Sequence, residues 1–254
     1  MIQVGIIGGS GLDDPDILKD AEAIEMMTPY GPTSSPIMKG TIQGCPVLLL
    51  GRHGKKHQHS PSQVNYRANI HALKELGATH IVATTACGSL KEEIDRGHFV
   101  ILDQFIDFTR KRENSFHDDF SSGAVHTGMA DPFDAELRRL LFKTSIEKGN
   151  TTHERGTVVT IEGPRFSTRA ESHMFRSWGA DVINMSIATE AALANEAGVP
   201  YGAIAMSTDY DCWKEDEAPV SWDDILEVFN QNADRVKALL VDVIPAIDEA
   251  FSAK

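Results

Sequence analysis

The order of apolar segments predicts an α/β protein: short β-branched runs alternate with longer stretches whose apolar residues recur every three or four positions. Several of the runs lead directly into glycine-rich turns, as happens in sheets that gather functional groups at strand ends. At 254 residues the chain fits one domain, spanning 1–254, around one sheet.

Taken in order, strands are predicted at 4–7, 47–50, 80–85, 99–102, 156–161, 181–185 and 201–207. Helices are predicted at 62–76, 134–148, 168–178 and 189–197, where the three- and four-residue spacing gives each an apolar stripe. A last helix opens at Ser221, where Ser221-Trp222-Asp223-Asp224 has the pattern of a capping box, and Pro245 is expected to kink or end it. Its stripe from Ile225 to Ile244 reads as core. The polar stretch 109–129 lacks periodicity and reads as a long loop, a kind of segment that often carries function.

Composition narrows the function. Hydrophobic residues make up 41% of the chain, enough for a large core, and the formal charge of −13 argues against a generic nucleic-acid binder. A small anion can still bind where Arg52, His53, Lys55 and Lys56 override the global field. Cys45, Cys87 and Cys212 are widely spaced without a CxxC pair, so neither a disulfide framework nor a zinc site is expected, and a reducing cytoplasm fits. Neither a signal peptide nor a membrane-spanning segment is apparent.

Four segments carry candidate chemistry. Val4-Gly5-Ile6-Ile7-Gly8-Gly9-Ser10-Gly11 feeds a strand into a glycine turn whose bare N–H groups suit an anion. It fails the dinucleotide fingerprint, because Asp14 stands where the third glycine belongs. Gly51-Arg52-His53-Gly54 follows an apolar strand and offers a guanidinium for phosphate. His53, His57 and His59 lack the carboxylate or cysteine that would complete a familiar metal spacing, so no metal is expected. Thr84-Thr85-Ala86-Cys87-Gly88-Ser89 ends another strand in hydroxyls and glycine, with Cys87 read as a packing residue. Thr208-Asp209-Tyr210-Asp211 places two carboxylates two residues apart, on one side of an extended segment, where proximity raises at least one pKa and prepares a proton donor or a partner for a basic ring.

Together these segments resemble the trimeric purine nucleoside phosphorylase superfamily, and within it most closely the branch acting on 5′-methylthioadenosine. The likeness covers nearly the whole chain and includes Asn65-Tyr66-Arg67-Ala68-Asn69, Glu162-Gly163-Pro164-Arg165-Phe166-Ser167 and Trp178-Gly179-Ala180-Asp181 through Met185. It implies a central mixed sheet flanked by helices, a homotrimer, and a site using inorganic phosphate as co-substrate without metal or organic cofactor. By resemblance, Ser10, Arg52, His53, Thr85, Ala86 and Ser186 hold phosphate, Phe166 packs on the purine, and Met185 lies beneath the ribose. Asp209 faces purine N7 and Asp211 the exocyclic amine, while His126 reaches the 5′ end of a neighbouring subunit's substrate. Relatives acting on 6-oxopurines typically carry Asn where this chain has Asp209. Ser186-Ile187-Ala188-Thr189-Glu190 departs from the Thr-Thr-Val-Pro-Glu common in the branch.

The expected reaction is phosphate-dependent cleavage of 5′-methylthioadenosine to adenine and 5-methylthioribose 1-phosphate. A 6-oxopurine or methylthioinosine phosphorylase and a non-catalytic nucleotide-binding module are the competing readings.

Overall fold

The computed structural model describes residues 1–9, 15–217 and 221–252. The chain runs β1 (Val4–Gly8), a short 3-10 turn (Pro15–Ile17), β2 (Lys19–Ile24), β3 (Met27–Thr28), β4 (Gly31–Pro32), β5 (Ile37–Ile42), β6 (Cys45–Gly51), α1 (Tyr66–Glu75) and β7 (His80–Ser89). It continues through β8 (Phe99–Ile101), β9 (Gln104–Phe108), α2 (Ala135–Glu147), β10 (Thr152–His153), β11 (Thr157–Ile161) and α3 (Arg169–Ser177). The last elements are β12 (Val182–Asn184), α4 (Ile187–Glu196), β13 (Tyr201–Asp209) and α5 (Trp222–Ser252).

The expected α/β architecture with a mixed sheet is present. Strands β6, β1, β7 and β13 form its parallel centre. Strands β5 and β2 extend it antiparallel on one side, and β8, antiparallel to β13, carries β10 on the other. Helices α1 and α4 share one apolar cluster with this sheet, while α2 and α5 close a second one on its other face.

Strand β7 corrects the sequence reading. Its expected end at residue 85 is only its midpoint: it continues to Ser89 and there pairs antiparallel with β12, which is parallel to β11, itself parallel to β9. Residues 86–89, beyond the predicted strand, therefore belong to it as well: β7 keeps its parallel pairing with β13 through Gly88 while its other edge passes from β1 to β12. Both ends of β7 are buried, so burial along it does not mark the change of partner.

The helices start where side chains can satisfy their orphan N–H groups. Asn65 accepts from Ala68 N at 3.1 Å, which begins α1 later than the predicted residue 62. Asp134 accepts from Leu137 N at 2.8 Å, and Thr168 with Glu171 makes a complete capping box on α3. Ser221 accepts from Asp224 N at 3.2 Å and so opens α5 as expected. Pro245, however, does not end that helix. Proline removes the donor to the carbonyl four residues earlier, and here Gln43 Nε2 supplies Val241 O with a replacement hydrogen bond of 3.1 Å.

The expected loop at 109–129 is irregular, and the irregular stretch continues to residue 134, the cap of α2. No described helix is long and apolar enough to cross a membrane. Leu240, fully buried between α5 and the sheet, gives a direct test of this packing: Leu240→Ala should cost about 2–5 kcal/mol, read as a lower denaturation midpoint in urea.

Candidate active site

The C-terminal ends of the central strands surround one cavity of about 150 Å³. Among the residues nominated from sequence, Arg52, His53, Thr85, Ala86, Ser186, Phe166, Met185, Asp209 and Asp211 all line it. Ser10 lies outside the described residues. His126 is not in the lining; it is exposed, with its ring against the edge of Phe120 at 5.5 Å.

At one end of the cavity, Arg52 follows β6 and is held against β1 by its own N–H, which donates to Gly8 O at 3.0 Å. The side chain is 1% exposed. Its Nε donates to Glu190 Oε1 at 2.5 Å, Nη2 to Glu190 Oε2 at 3.0 Å and Nη1 to Thr84 O at 3.0 Å. Three of the five guanidinium N–H groups are thus committed to the protein, leaving two donors. Gly9 permits this approach, since a Cβ there would sit 3.1 Å from Arg52 Nη1. Burial alone lowers the guanidinium pKa, but the Glu190 carboxylate beside it more than offsets that and raises it.

His53 is next to this charge. Burial, then the neighbouring Arg52, lowers its pKa to about 3, so the ring is neutral. Ser186 stands at the start of α4 without a side-chain capping bond, and the helix therefore begins at the cavity wall with its positive end toward it. Behind it Asn184 is fixed by Thr160 Oγ1, which donates to its Oδ1 at 2.8 Å, and its Nδ2 donates to Thr85 Oγ1 at 3.3 Å.

The other end is acidic and nearly dry. Asp209 closes β13 and lies over the backbone of Gly88, where a Cβ would come within 2.9 Å of Asp209 Oδ1. Its Oδ2 accepts from Thr208 Oγ1 and its Oδ1 from Asp211 N, both at 2.8 Å. Burial raises its pKa against these hydrogen bonds, and the Asp211 charge adds to the rise. Burial likewise raises the pKa of Asp211. The expected extended spacing is not what brings the two carboxylates together: Asp211 has φ +50°, so the chain turns between them. Asp tolerates that left-handed region better than most residues. Cys87 is buried with its thiol pKa pushed up, consistent with packing rather than nucleophilic use.

Met185 and Phe166 lie between the two ends, and His57, Pro61, Trp222 and Ile225 are also in the lining. The long irregular segment contributes Arg112, whose buried guanidinium donates to Met185 O at 3.0 Å, Glu162 O at 2.7 Å and Tyr66 OH at 2.6 Å. Burial would raise the Glu162 pKa, but hydrogen bonds from Ser62, the amides of Arg110 and Lys111, and Arg112 hold it down at about 2.

Glu190, Arg112 and Trp222 were not singled out from sequence. Glu190 had a readable signal, a lone acid within the otherwise small and apolar run Ala188 to Ala194. Arg112 had none, because it is one of several charges in a polar loop. Trp222 was hidden inside a good helix-start pattern. Among the described residues no group of three or more His, Cys, Asp or Glu side chains is arranged to hold a metal.

The cavity thus has a basic end at Arg52, an apolar middle and a paired-carboxylate end, and the chain that forms it belongs to the Phosphorylase superfamily, whose sequence profile matches residues 3–245. Its relatives narrow the placement to the S-methyl-5′-thioadenosine phosphorylases. The Xenopus tropicalis protein of that name is 52% identical over 250 residues, covering 97% of this chain and 89% of its own. The Thermofilum pendens protein of the same name is 48% identical, covering 98% and 93%. The solved methylthioadenosine phosphorylase from Schistosoma mansoni in complex with adenine is 41% identical, with a TM-score of 0.94 over 98% of this chain and 93% of that one.

The buried carboxylate yields a stability prediction. The folded-state pKa of Asp209 lies above its unfolded value, so the folded chain binds more protons between the two and loses stability as pH rises through that window. Asp209→Asn removes this cost while keeping an oxygen for Asp211 N. Thermal melts should show the variant more stable than the parent at neutral pH, with the gain shrinking as pH falls through the carboxylate range. An equal difference at every pH would refute the assigned cause.

Proposed function

We infer that this protein cleaves 5′-methylthioadenosine with inorganic phosphate, releasing adenine and 5-methylthioribose 1-phosphate. The observation that carries this reading is the polarity of one cavity: Arg52, His53 and Ser186 at one end, Asp209 and Asp211 at the other, and Met185 and Phe166 between them. The relatives' shared name agrees with it.

In this reading phosphate binds against the two uncommitted N–H donors of Arg52, with Ser10, Thr85, Ala86 and Ser186 around it, and Met185 lies under the ribose. As the C1′–N9 bond lengthens, positive charge develops on the sugar and negative charge on the purine. The phosphate dianion stabilises the first and Asp209 the second. The raised pKa of Asp209 favours the protonated carboxyl that donates to N7, so adenine leaves neutral. Phosphate then forms the C1′–O bond with inversion.

The proton count closes. Hydrogenphosphate loses its proton to solvent as the sugar phosphate departs as a dianion, Asp209 gives its proton to adenine, and solvent reprotonates Asp209. Asp211 accepts from the adenine amino group, which a 6-oxo group could not satisfy. Phe166, 38% exposed at the cavity wall, offers its ring to the purine. No step requires a metal or an organic cofactor.

The segment around His126 carries exposed Phe120 and Val125. An apolar exposed surface beside a histidine supports assembly in which His126 completes a neighbour's 5′ subsite. A homotrimer in the cytoplasm is the corresponding assembly and compartment.

The deciding experiment is adenine release from 5′-methylthioadenosine with and without phosphate, alongside adenosine, inosine and methylthioinosine. Release only with phosphate, and preferentially from the adenine nucleosides, is expected. Asp209→Asn should lower kcat by about 10²–10⁴-fold while the variant still binds substrate. Preference for inosine would retain phosphorolysis but refute the role given to Asp211. In sedimentation the protein should run as a trimer, and His126→Ala should raise KM for methylthioadenosine more than for phosphate; a fully active monomer would rule out the shared subsite.

A further inference from the structure

His53 presents an acceptor, not a donor, to the anion end of the cavity. Its Nδ1 lies 2.9 Å from His59 O, and a carbonyl oxygen can only accept, so Nδ1 carries the ring proton. His59 N donates back to His53 O at 3.1 Å, which closes the 53–59 loop on itself and fixes the ring edge. The ring is also stacked on His57, with centroids 4.4 Å apart at 29°, and His57 packs in turn against Trp222 at 5.6 Å. Flipping the ring to exchange its nitrogens would put Cδ2 where Nδ1 stands and break the His59 bond. The remaining nitrogen, Nε2, makes no hydrogen bond to a described residue.

A second proton on the ring would put an imidazolium beside the buried guanidinium of Arg52, whose own charge is already balanced by Glu190. The ring therefore stays neutral, and its Nε2 lone pair is exposed to whatever anion Arg52 holds. A tetrahedral oxyanion that carries an O–H satisfies that lone pair. One with four bare oxygens, or three and a fluorine, presents a lone pair to a lone pair.

The geometry points to His53 as a specificity-determining residue that selects protonated oxyanions: Nε2 accepts the single O–H of hydrogenphosphate, so the site prefers hydrogenphosphate and hydrogenarsenate to sulfate and monofluorophosphate of the same charge. This rests on the phosphate-binding reading above. It also orients the substrate, since anchoring the O–H at His53 turns the bare oxygens toward Arg52 and the sugar.

The test is calorimetric titration of the intact protein at pH 7.5 with phosphate, arsenate, sulfate and monofluorophosphate, in the presence and absence of adenine. Phosphate and arsenate should bind at least about tenfold tighter than sulfate and monofluorophosphate, the cost of leaving a desolvated acceptor unpaired. His53→Asn keeps an amide N–H within reach of His59 O but removes Nε2, and should reduce the difference to within about threefold. Equal binding of phosphate and sulfate by the parent protein would overturn the inference while leaving phosphorolysis intact, and so would full selectivity in His53→Asn. Absence of phosphate binding together with absence of phosphate-dependent turnover would overturn both this inference and the reading on which it rests.

Discussion

A guanidinium that is almost completely removed from water must have a fixed counter-charge, and most of the site is arranged around that requirement for Arg52. Its partner Glu190 is equally buried and also accepts from Tyr201 OH at 2.8 Å, so the pair ties α4 to the loop after β6 and to the start of β13. Such pairs rarely stabilise a fold by themselves, because desolvating both ions costs about as much as their attraction returns. What the pair secures is position: a cation with two uncommitted donors, held against the end of β1.

The second constraint is topological. Strand β7 pairs with β13 along nearly its whole length, and on its other edge with β1 in its first half and with β12 at Gly88 and Ser89. That divergence opens the sheet where the ends of β1, β12 and β13 meet, and the cavity occupies the opening. Both chemical ends follow from it: the Arg52 end borders β1 and the start of α4, whereas Asp209 rests on Gly88, where β7 begins to pair with β12. The irregular segment after β9 then braces the wall between them through Arg112, which holds the Met185 carbonyl.

Much of this was legible in the sequence because the relevant signals are local. The seven predicted strands correspond to β1, β6, β7, β8, β11, β12 and β13, all of which have buried apolar residues. All five helices were marked by periodicity, with boundaries set by Asn65, Asp134, Thr168 and Ser221. The unpredicted strands β2, β3, β4, β5, β9 and β10 lie outside the parallel centre, with β3 and β4 in a sheet of their own. β2 is exposed along nearly its whole length and so has no apolar alternation to read. Pro245 was a sound local stop signal, overridden by Gln43, a side chain 198 positions from the Val241 carbonyl whose hydrogen bond it supplies.

The same division holds in the site. Sequence alone determined which residue types follow each strand, and with them the α/β class and the nomination of Arg52, His53, Thr85, Asp209 and Asp211, because strand, turn and side chain are neighbours in the chain. Tertiary structure decided the states of those groups. Asp209 is dry because β7 and the Asp211 turn enclose it; His53 is an acceptor because His59 O takes its proton-bearing edge; Arg52 is oriented because Glu190 lies 138 residues away along the chain but 2.5 Å away in space. Protonation and donor direction depend on dielectric and on partners brought from distant segments, and neither quantity exists until the chain has closed around them.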